Sequence, residues 1–151
     1  MGLHYPSTIT FPVFGSKSGT TRTSVALTSA YQDELAGTSR PVKIFKTSHY
    51  SKLNLDILYT MGAGEASNSV EIKIEGSTDG VNFYRIPNES VSAGTSTLTQ
   101  REFTFVGTDA DAATISIGLD IFYEYIKISA KETGVSAASG TVYGEVTLAG
   151  L

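Results

Sequence analysis

The sequence predicts an all-β fold, an antiparallel β-sandwich with about eight strands. Three observations lead to this prediction. Apolar and polar residues alternate with period two along most of the chain, clusters of Gly, Ser, Asn and Asp separate the alternating stretches, and amphipathic helical periodicity is weak throughout. Short strands separated by turn residues are typical of sandwiches and barrels.

The two clearest strands lie at 53–59 and 70–75. In the first strand, the large apolar residues Leu53, Leu55 and Ile57 occupy every second position. In the second strand, Ile72 and Ile74 do the same. Because side chains two residues apart share a face, we expect these residues to be buried on facing strands. Helix formers at 29–37 allow at most a single helical turn. Shorter patterns predict further strands at 42–47, 83–86, 98–106, 114–119, 122–130 and 142–149.

Composition limits the classes of partner. The 151 residues suffice for one domain with a core of its own. The net charge of -4 comes with no run of Lys or Arg, which argues against nucleic acid. The start of the chain lacks the features of a secretory signal, and no stretch approaches the roughly 20 apolar residues of a membrane span. We therefore expect a soluble protein with no membrane partner. Without Cys, the fold uses no disulfide.

Residues 1–40 differ from residues 41–151, so we divide the chain into an N-terminal arm and a sandwich domain. The arm is polar, rich in Ser, Thr and Gly, and too poor in apolar residues to build a core alone. We expect it to lie extended against another polypeptide. Its anchors would be Ile9, Phe11, Val13 and Phe14. An arm folded back on its own sandwich, as an edge strand through 23–27, is an equally open alternative.

The stretch "GSTDG", residues 76–80, predicts a tight hairpin turn. Gly76, Asp79 and Gly80 supply the short polar side chain and the tolerance of positive φ that such a loop requires. Phe83 then returns the chain to the core. We interpret the motif as structural, since a turn accounts for each of its residues.

Three segments in order, "LTSAYQDELAG", "YSKLNLDILYTMG" and "VEIKIEGSTDGVNFYRIP", resemble a recurrent group of small virion proteins of tailed bacteriophages. Members of this group have a strand of the form "Y.LNL.I.YT", then a strand ending in "KVEGSxDG" and an aromatic residue. The resemblance covers roughly residues 25–87, and the later strands match only in kind. It implies a jelly-roll-like sandwich that serves as a structural component of the virion.

No constellation of residues predicts catalysis, so the sequence predicts neither an enzyme nor a cofactor. The only histidines, His4 and His49, are isolated, and no nucleophile motif accompanies them. Asp109 and Asp111 offer two carboxylates in a polar loop, but the central Gly and closing Glu of a calcium-binding loop are missing. We predict no metal site there.

Alternation around 122–130 places Tyr123 and Tyr125 on one face of a strand, followed by Lys127. Such a strip could stack on sugar rings or pack against a partner subunit. We therefore treat both tyrosines as partner-binding candidates, with a glycan as the alternative ligand.

The resemblance implies a non-enzymatic virion subunit, and the function that we predict is a head decoration or cement protein. It would be made in the cytoplasm of a host bacterium and lie on the capsid surface. Its partners would be the major capsid protein or another virion protein, and copies of itself, with a trimer among the options. The alternatives are a tail, baseplate or head-fibre subunit, and a carbohydrate-binding attachment module.

Overall fold

The computed structural model describes residues 8–33, 40–92, 95–100, 102–106 and 112–150, and within these residues it contains strands and loops but no helix. The all-β prediction is confirmed. The strands are β1 (Thr8–Phe14), β2 (Ser16–Ser18), β3 (Thr21–Thr23), β4 (Val25–Ala26), β5 (Val42–Lys46), β6 (Lys52–Thr60), β7 (Ser69–Ser77), β8 (Tyr84–Arg85), β9 (Pro87–Ser92), β10 (Thr95–Gln100), β11 (Glu102–Val106), β12 (Ala112–Asp120), β13 (Tyr125–Thr133) and β14 (Thr141–Ala149).

Eight of these strands form two antiparallel sheets of four. Sheet 1 has the order β1–β14–β6–β12, and the short β4 also pairs with β14. Sheet 2 has the order β11–β7–β13–β5, and β8 also pairs with β7. Two hairpins, β2–β3 and β9–β10, form separate two-stranded sheets.

The two sheets share one apolar core. Leu55 and Ile57 of β6 and Ile72 and Ile74 of β7 are all buried in the same cluster, which confirms the predicted strand phase. Each residue between them points to the other face of its sheet because side chains alternate along a strand. The core therefore fills the space between sheet 1 and sheet 2.

The first strand corrects the prediction of a separate N-terminal arm. β1 pairs with β14 along its length, and an irregularity between Pro12 and Phe14 lets Val13 and Phe14 both turn inward, where they are buried. The Phe11 ring packs edge-on against Phe45 of sheet 2, with ring centroids 5.2 Å apart. Residues 8–14 are thus held by their own sandwich, and the expectation that another polypeptide holds them is wrong.

The alternative of an arm folded back agrees better with the structure. β4 pairs with Thr141 and Val142 of β14, and Leu27, which follows it, is buried in the core. The boundary at residue 40 therefore does not separate an arm from the sandwich. The physical reason is that one edge of β14 is open to β1 and β4. The main-chain hydrogen bonds formed there hold residues that have few apolar side chains of their own.

Three further predictions need adjustment. The stretch 98–106 divides between β10 and β11, and the strand predicted from 122 begins at Tyr125, because residues 121–124 cross from sheet 1 to sheet 2. Residues 29–33 form bends and extended chain, and the remainder of the predicted helical turn lies outside the described residues.

The sandwich has two ends. At the Phe122 end, β1, β6 and β13 begin and β7, β12 and β14 end, joined by the loops 47–51, 78–83 and 121–124. Backbone bonds from Thr47 to Glu124 and from Ile121 to Ser51 tie two of these loops together. The loops 61–68 and 134–140 lie at the opposite end, called the Glu65 end.

Candidate functional site

The 76–80 motif forms the end of β7 and the start of the loop that follows it. Gly76, predicted as a turn residue, is instead paired with Ile126 within sheet 2. Ser77 and Asp79 share a hydrogen bond, and Asp79 Oδ1 accepts the backbone N–H groups of Val81 and Asn82 at 2.9 and 2.8 Å. The N–H groups hold the pKa of Asp79 well below its usual range. Gly80 has φ 75°, a conformation that favours glycine. The Ser77 hydroxyl and the Asp79 carboxylate are therefore engaged in holding the loop.

The two candidate tyrosines do not form one strip. The Tyr123 ring packs against the core and lies on Gly76, where a Cβ atom would come within 2.5 Å of the ring. Tyr125 is paired with Lys46 across the strands and packs beside Gly80, with the Lys46 ammonium 5.8 Å from its ring centroid. Tyr123 thus closes the interior and Tyr125 lies on the outer face of sheet 2, so the predicted shared face is wrong. Residue 123 precedes β13, and strand alternation does not extend to it.

The predicted arm anchors also separate. Val13 and Phe14 are buried, so these two side chains are not available to a partner. Phe11 packs against the core and keeps part of its surface exposed. Ile9 is exposed, near the start of β1 at the Phe122 end.

Exposed apolar side chains are concentrated at the Phe122 end. Phe122 is 85% exposed, Val81 78% and Tyr84 70%, and together with Ile9 they are four of the five exposed large apolar residues among 8–33, 40–86 and 114–150, whose burial the structure describes. The fifth, Val135, lies at the opposite end. Single exposed apolar residues are ordinary, but several at one end are typical of an interaction surface.

A cavity of about 670 Å³ opens at the same end, and of these exposed residues Phe122 lines it. Its apolar lining comes from both sheets and the crossing loop, namely Leu53, Ile86, Leu119, Phe122 and Tyr123. Lys52 and Asp120, which form an ion pair, also line it and give it a charged margin. We use the name end surface for this cavity together with the exposed apolar residues of the Phe122 end.

Neighbouring side chains cover the charged groups on the outer face of sheet 2. Glu75 lies between Lys127, at 3.5 Å, and Lys73, at 3.7 Å. The Tyr31 ring covers the Lys73 ammonium at 4.3 Å and the Phe83 ring covers that of Lys127 at 5.4 Å. The charges on this face pair with one another and with aromatic rings, so they offer little for an external ligand.

Two buried carboxylates organise the Glu65 end. Glu65 accepts the backbone N–H groups of residues 136–138, and these bonds lower its pKa to about 2. Glu132 accepts the Tyr59 hydroxyl at 2.6 Å and the Gly140 N–H at 2.7 Å. Burial and the neighbouring Glu132 raise the pKa of Tyr59. Glu65 joins the two loops and Glu132 fastens the loop 134–140 to the strands, and both are buried, so we assign them a structural role.

A second concave region lies on the outer face of sheet 1. It has a volume of about 550 Å³ and combines Arg22, Asp56, Ser116, Tyr143 and Glu145. Period two places Asp56 and Glu145 on outward faces, but the sequence contains no signal that they are direct neighbours. Their juxtaposition follows only from the pairing of β6 with β14.

In the described residues, no group of three or more His, Asp or Glu side chains is arranged to hold a metal ion. Asp109 and Asp111, where the sequence predicts no metal site, lie outside those residues. His49 lies in the loop between β5 and β6, and His4 is outside the described chain. Within that part of the chain no helix is long and apolar enough to cross a membrane.

No protein-family model matches the sequence, and no curated protein matches it significantly. Among solved structures, the "SPBc2 prophage-derived protein YomS" is similar over 97% of this chain and 98% of its own, with 15% sequence identity and a TM-score of 0.41. A TM-score of this size does not establish a shared arrangement, so nothing about this chain is inferred from that protein.

Proposed function

We propose that this protein is a non-enzymatic structural subunit of a bacteriophage particle, and that it binds the capsid surface as a decoration or cement protein through its end surface. The observation that carries the proposal is the group of exposed apolar side chains at one end of an otherwise well-packed sandwich. The sequence resemblance over roughly residues 25–87 supplies the class of particle.

The strand order supports the same proposal. We number the eight strands of the two four-stranded sheets from one to eight in chain order. Sheet 1 then has the order one, eight, three, six and sheet 2 the order five, four, seven, two, which resembles the order in jelly rolls. Jelly rolls recur in viral capsid proteins and also in lectins. Because one fold serves several functions, the fold agrees with a virion role without selecting it.

The mechanism would be mechanical. Covering Phe122, Tyr84 and Val81 with a capsid subunit would remove apolar area from water, at about 1.5–3 kcal/mol for each side chain fully buried. The charged margin formed by Lys52 and Asp120 would orient the contact. Many copies, each binding modestly, would together stabilise the shell. Such copies can also bind one another, so we include a homo-oligomer, with a trimer as one form.

The decisive test is mass spectrometry of purified particles from a phage whose genome encodes this chain. We expect peptides of the protein in the particle, at a copy number that matches the capsid subunits or their symmetry axes. A copy number matching the tail or neck would reject the decoration role in favour of a tail or baseplate subunit. Absence from the particle would reject the virion proposal altogether.

A matched pair of substitutions tests the surface itself. Val81→Ser changes the end surface, and Val135→Ser makes the same change at the opposite end. Binding to particles that lack the protein should weaken with Val81→Ser, and more so with Phe122→Ser, while Val135→Ser should bind as the wild type does. Equal binding by all three variants would show that the end surface is not the contact.

A further inference from the structure

The groove on the outer face of sheet 1 is built by four elements. β6, β12 and β14 form its floor, and the β2–β3 hairpin rises along one side. Its volume of about 550 Å³ is within the usual range for small-ligand sites. It lies on a sheet face, away from the loops that form the end surface, so the two regions are separate.

The strand register places the side chains of the floor in rows that run across β12, β6 and β14. Asp56 of β6 lies directly opposite Glu145 of β14 and Ser116 of β12. In the next row, Leu58 lies opposite Tyr143 and Thr114. Side chains opposite one another on a sheet have Cβ atoms about 5 Å apart, so a polar row lies beside a partly apolar one.

On the hairpin side of the groove, the Glu145 carboxylate is fully engaged. Lys17 contacts both oxygens of Glu145 at 3.3 Å, and the Tyr143 hydroxyl donates to Glu145 at 2.6 Å. The Arg22 guanidinium lies over the Tyr143 ring, 5.4 Å from its centroid. The Tyr143 hydroxyl and Lys17 hold the pKa of Glu145 below its usual value. Glu145 is therefore a fixed carboxylate whose function is to hold the hairpin.

Asp56 differs from Glu145. Its carboxylate accepts the Asn54 amide at 2.9 Å, and the Ser116 hydroxyl donates to Asn54 at 2.9 Å. Among the described residues Asp56 forms no ion pair, and it is exposed to solvent at the centre of the floor. A carboxylate has about four acceptor positions, so Asp56 can accept further hydrogen bonds from a ligand.

The charges of the groove determine the class of ligand. Asp56 and Glu145 are balanced by Lys17 and Arg22, so the groove has no net charge to attract an ion. The Asp56 carboxylate accepts hydrogen bonds, the Arg22 guanidinium donates them and the Thr114 hydroxyl can do either, which matches a ligand carrying several hydroxyl groups. Leu58 offers an apolar floor to C–H groups. We propose that this groove binds a neutral saccharide, with Asp56 accepting hydrogen bonds from two of its hydroxyls.

This proposal goes beyond the capsid-binding role. It assigns the glycan expected at Tyr123 and Tyr125 to a different face, because those two side chains lie on different sides of sheet 2. A virion subunit bound through its end surface would leave this groove uncovered, because the groove lies on the side of the sandwich. The groove and the end surface have different residues, so each proposal can fail while the other stands.

The test uses the full chain and defined probes. Cellotetraose, maltotetraose and chitotetraose serve as neutral probes and trigalacturonic acid as the charged one, with binding measured by saturation-transfer NMR and by calorimetry. We expect at least one neutral probe to bind and the charged probe to bind more weakly. Asp56→Asn should raise the Kd of that neutral probe about tenfold or more, since it removes a charged acceptor.

Asp120→Asn is the matched control. Asp120 is an exposed aspartate at the end of β12 on the same sheet, paired with Lys52 and outside the groove. It should leave the Kd unchanged, and both variants should unfold with the cooperativity of the wild type. The proposal is overturned when no neutral probe binds, when Asp56→Asn binds as tightly as the wild type, or when the charged probe binds best.

Discussion

Phe14→Ala tests whether the first strand belongs to the sandwich. Phe14 is fully buried, and its ring fills the space above Gly144, where a Cβ atom would come within 2.7 Å of it. Removing roughly 150–250 Å² of buried aromatic surface at about 25 cal/mol per Å² corresponds to about 4–6 kcal/mol, an upper estimate. Comparable core substitutions cost about 3–5 kcal/mol.

We therefore expect Phe14→Ala to lower the free energy of unfolding by about 3–5 kcal/mol and the Tm by roughly 6–20 °C. Urea unfolding followed by circular dichroism measures the change, and the slope with denaturant should stay constant if the unfolded state is unaffected. Ile9→Ala, on the same strand but exposed, should cost about 1 kcal/mol or less.

A double-mutant cycle with Gly144 sharpens the test. Gly144→Ala alone forces its new methyl group against the Phe14 ring, whereas in the Phe14→Ala background the space is open. The cost of Gly144→Ala should be smaller in that background, with a coupling of about 0.5–3 kcal/mol. Additive costs, or a Phe14→Ala variant that keeps its stability and loses only assembly, would mean that Phe14 contacts a partner instead of its own core.

Three other predictions concern Ile74, Gly80 and Glu65. Ile74→Ala should cost about 2–5 kcal/mol in urea unfolding, because Ile74 is buried between the sheets; a cost typical of surface positions would show that the strand phase is wrong. Gly80→Val should cost about 1–3 kcal/mol by the same assay, because Gly80 has φ 75° and lies beside the Tyr125 ring; an unchanged stability would contradict this backbone conformation. The carboxylate of Glu65 has its pKa lowered to about 2 in the folded protein, so its stabilising effect is present above the unfolded pKa of about 4.5 and is lost as pH falls towards 2. Unfolding followed between pH 5 and pH 2 should therefore show a shallower pH dependence in Glu65→Gln than in the wild type, and parallel curves would exclude this contribution.

Local chemistry made much of the sandwich predictable. Apolar residues at every second position predicted the strands that contain Leu55 and Ile74 and the buried face of each strand. This works because the pleat of a strand fixes which side chains share a face. Gly80 was predictable as a turn residue because few other residues adopt positive φ at low cost. Where alternation continued past a strand end, as at Tyr123, the prediction failed because the chain there crosses between sheets.

The candidate sites were less predictable, for a related reason. Phe122 looked like an ordinary strand residue, and its exposure depends on the position of the crossing loop relative to both sheets. Asp56 looked like any polar residue on a strand, and its place in a groove depends on β12, β14 and the β2–β3 hairpin. Neither position has a local signal, since each depends on chain segments far away in sequence.

The sequence by itself determined the all-β class, the phase of the main strands and the 76–80 turn, because these depend on residues within a few positions of one another. Only the tertiary structure decided that β1 is a strand of sheet 1, that Tyr123 and Tyr125 lie on different sides of sheet 2, and that Asp56 lies opposite Glu145. Those outcomes depend on strand register, which is set by the joint burial of two sheets and by main-chain bonds between segments as distant as β1 and β14.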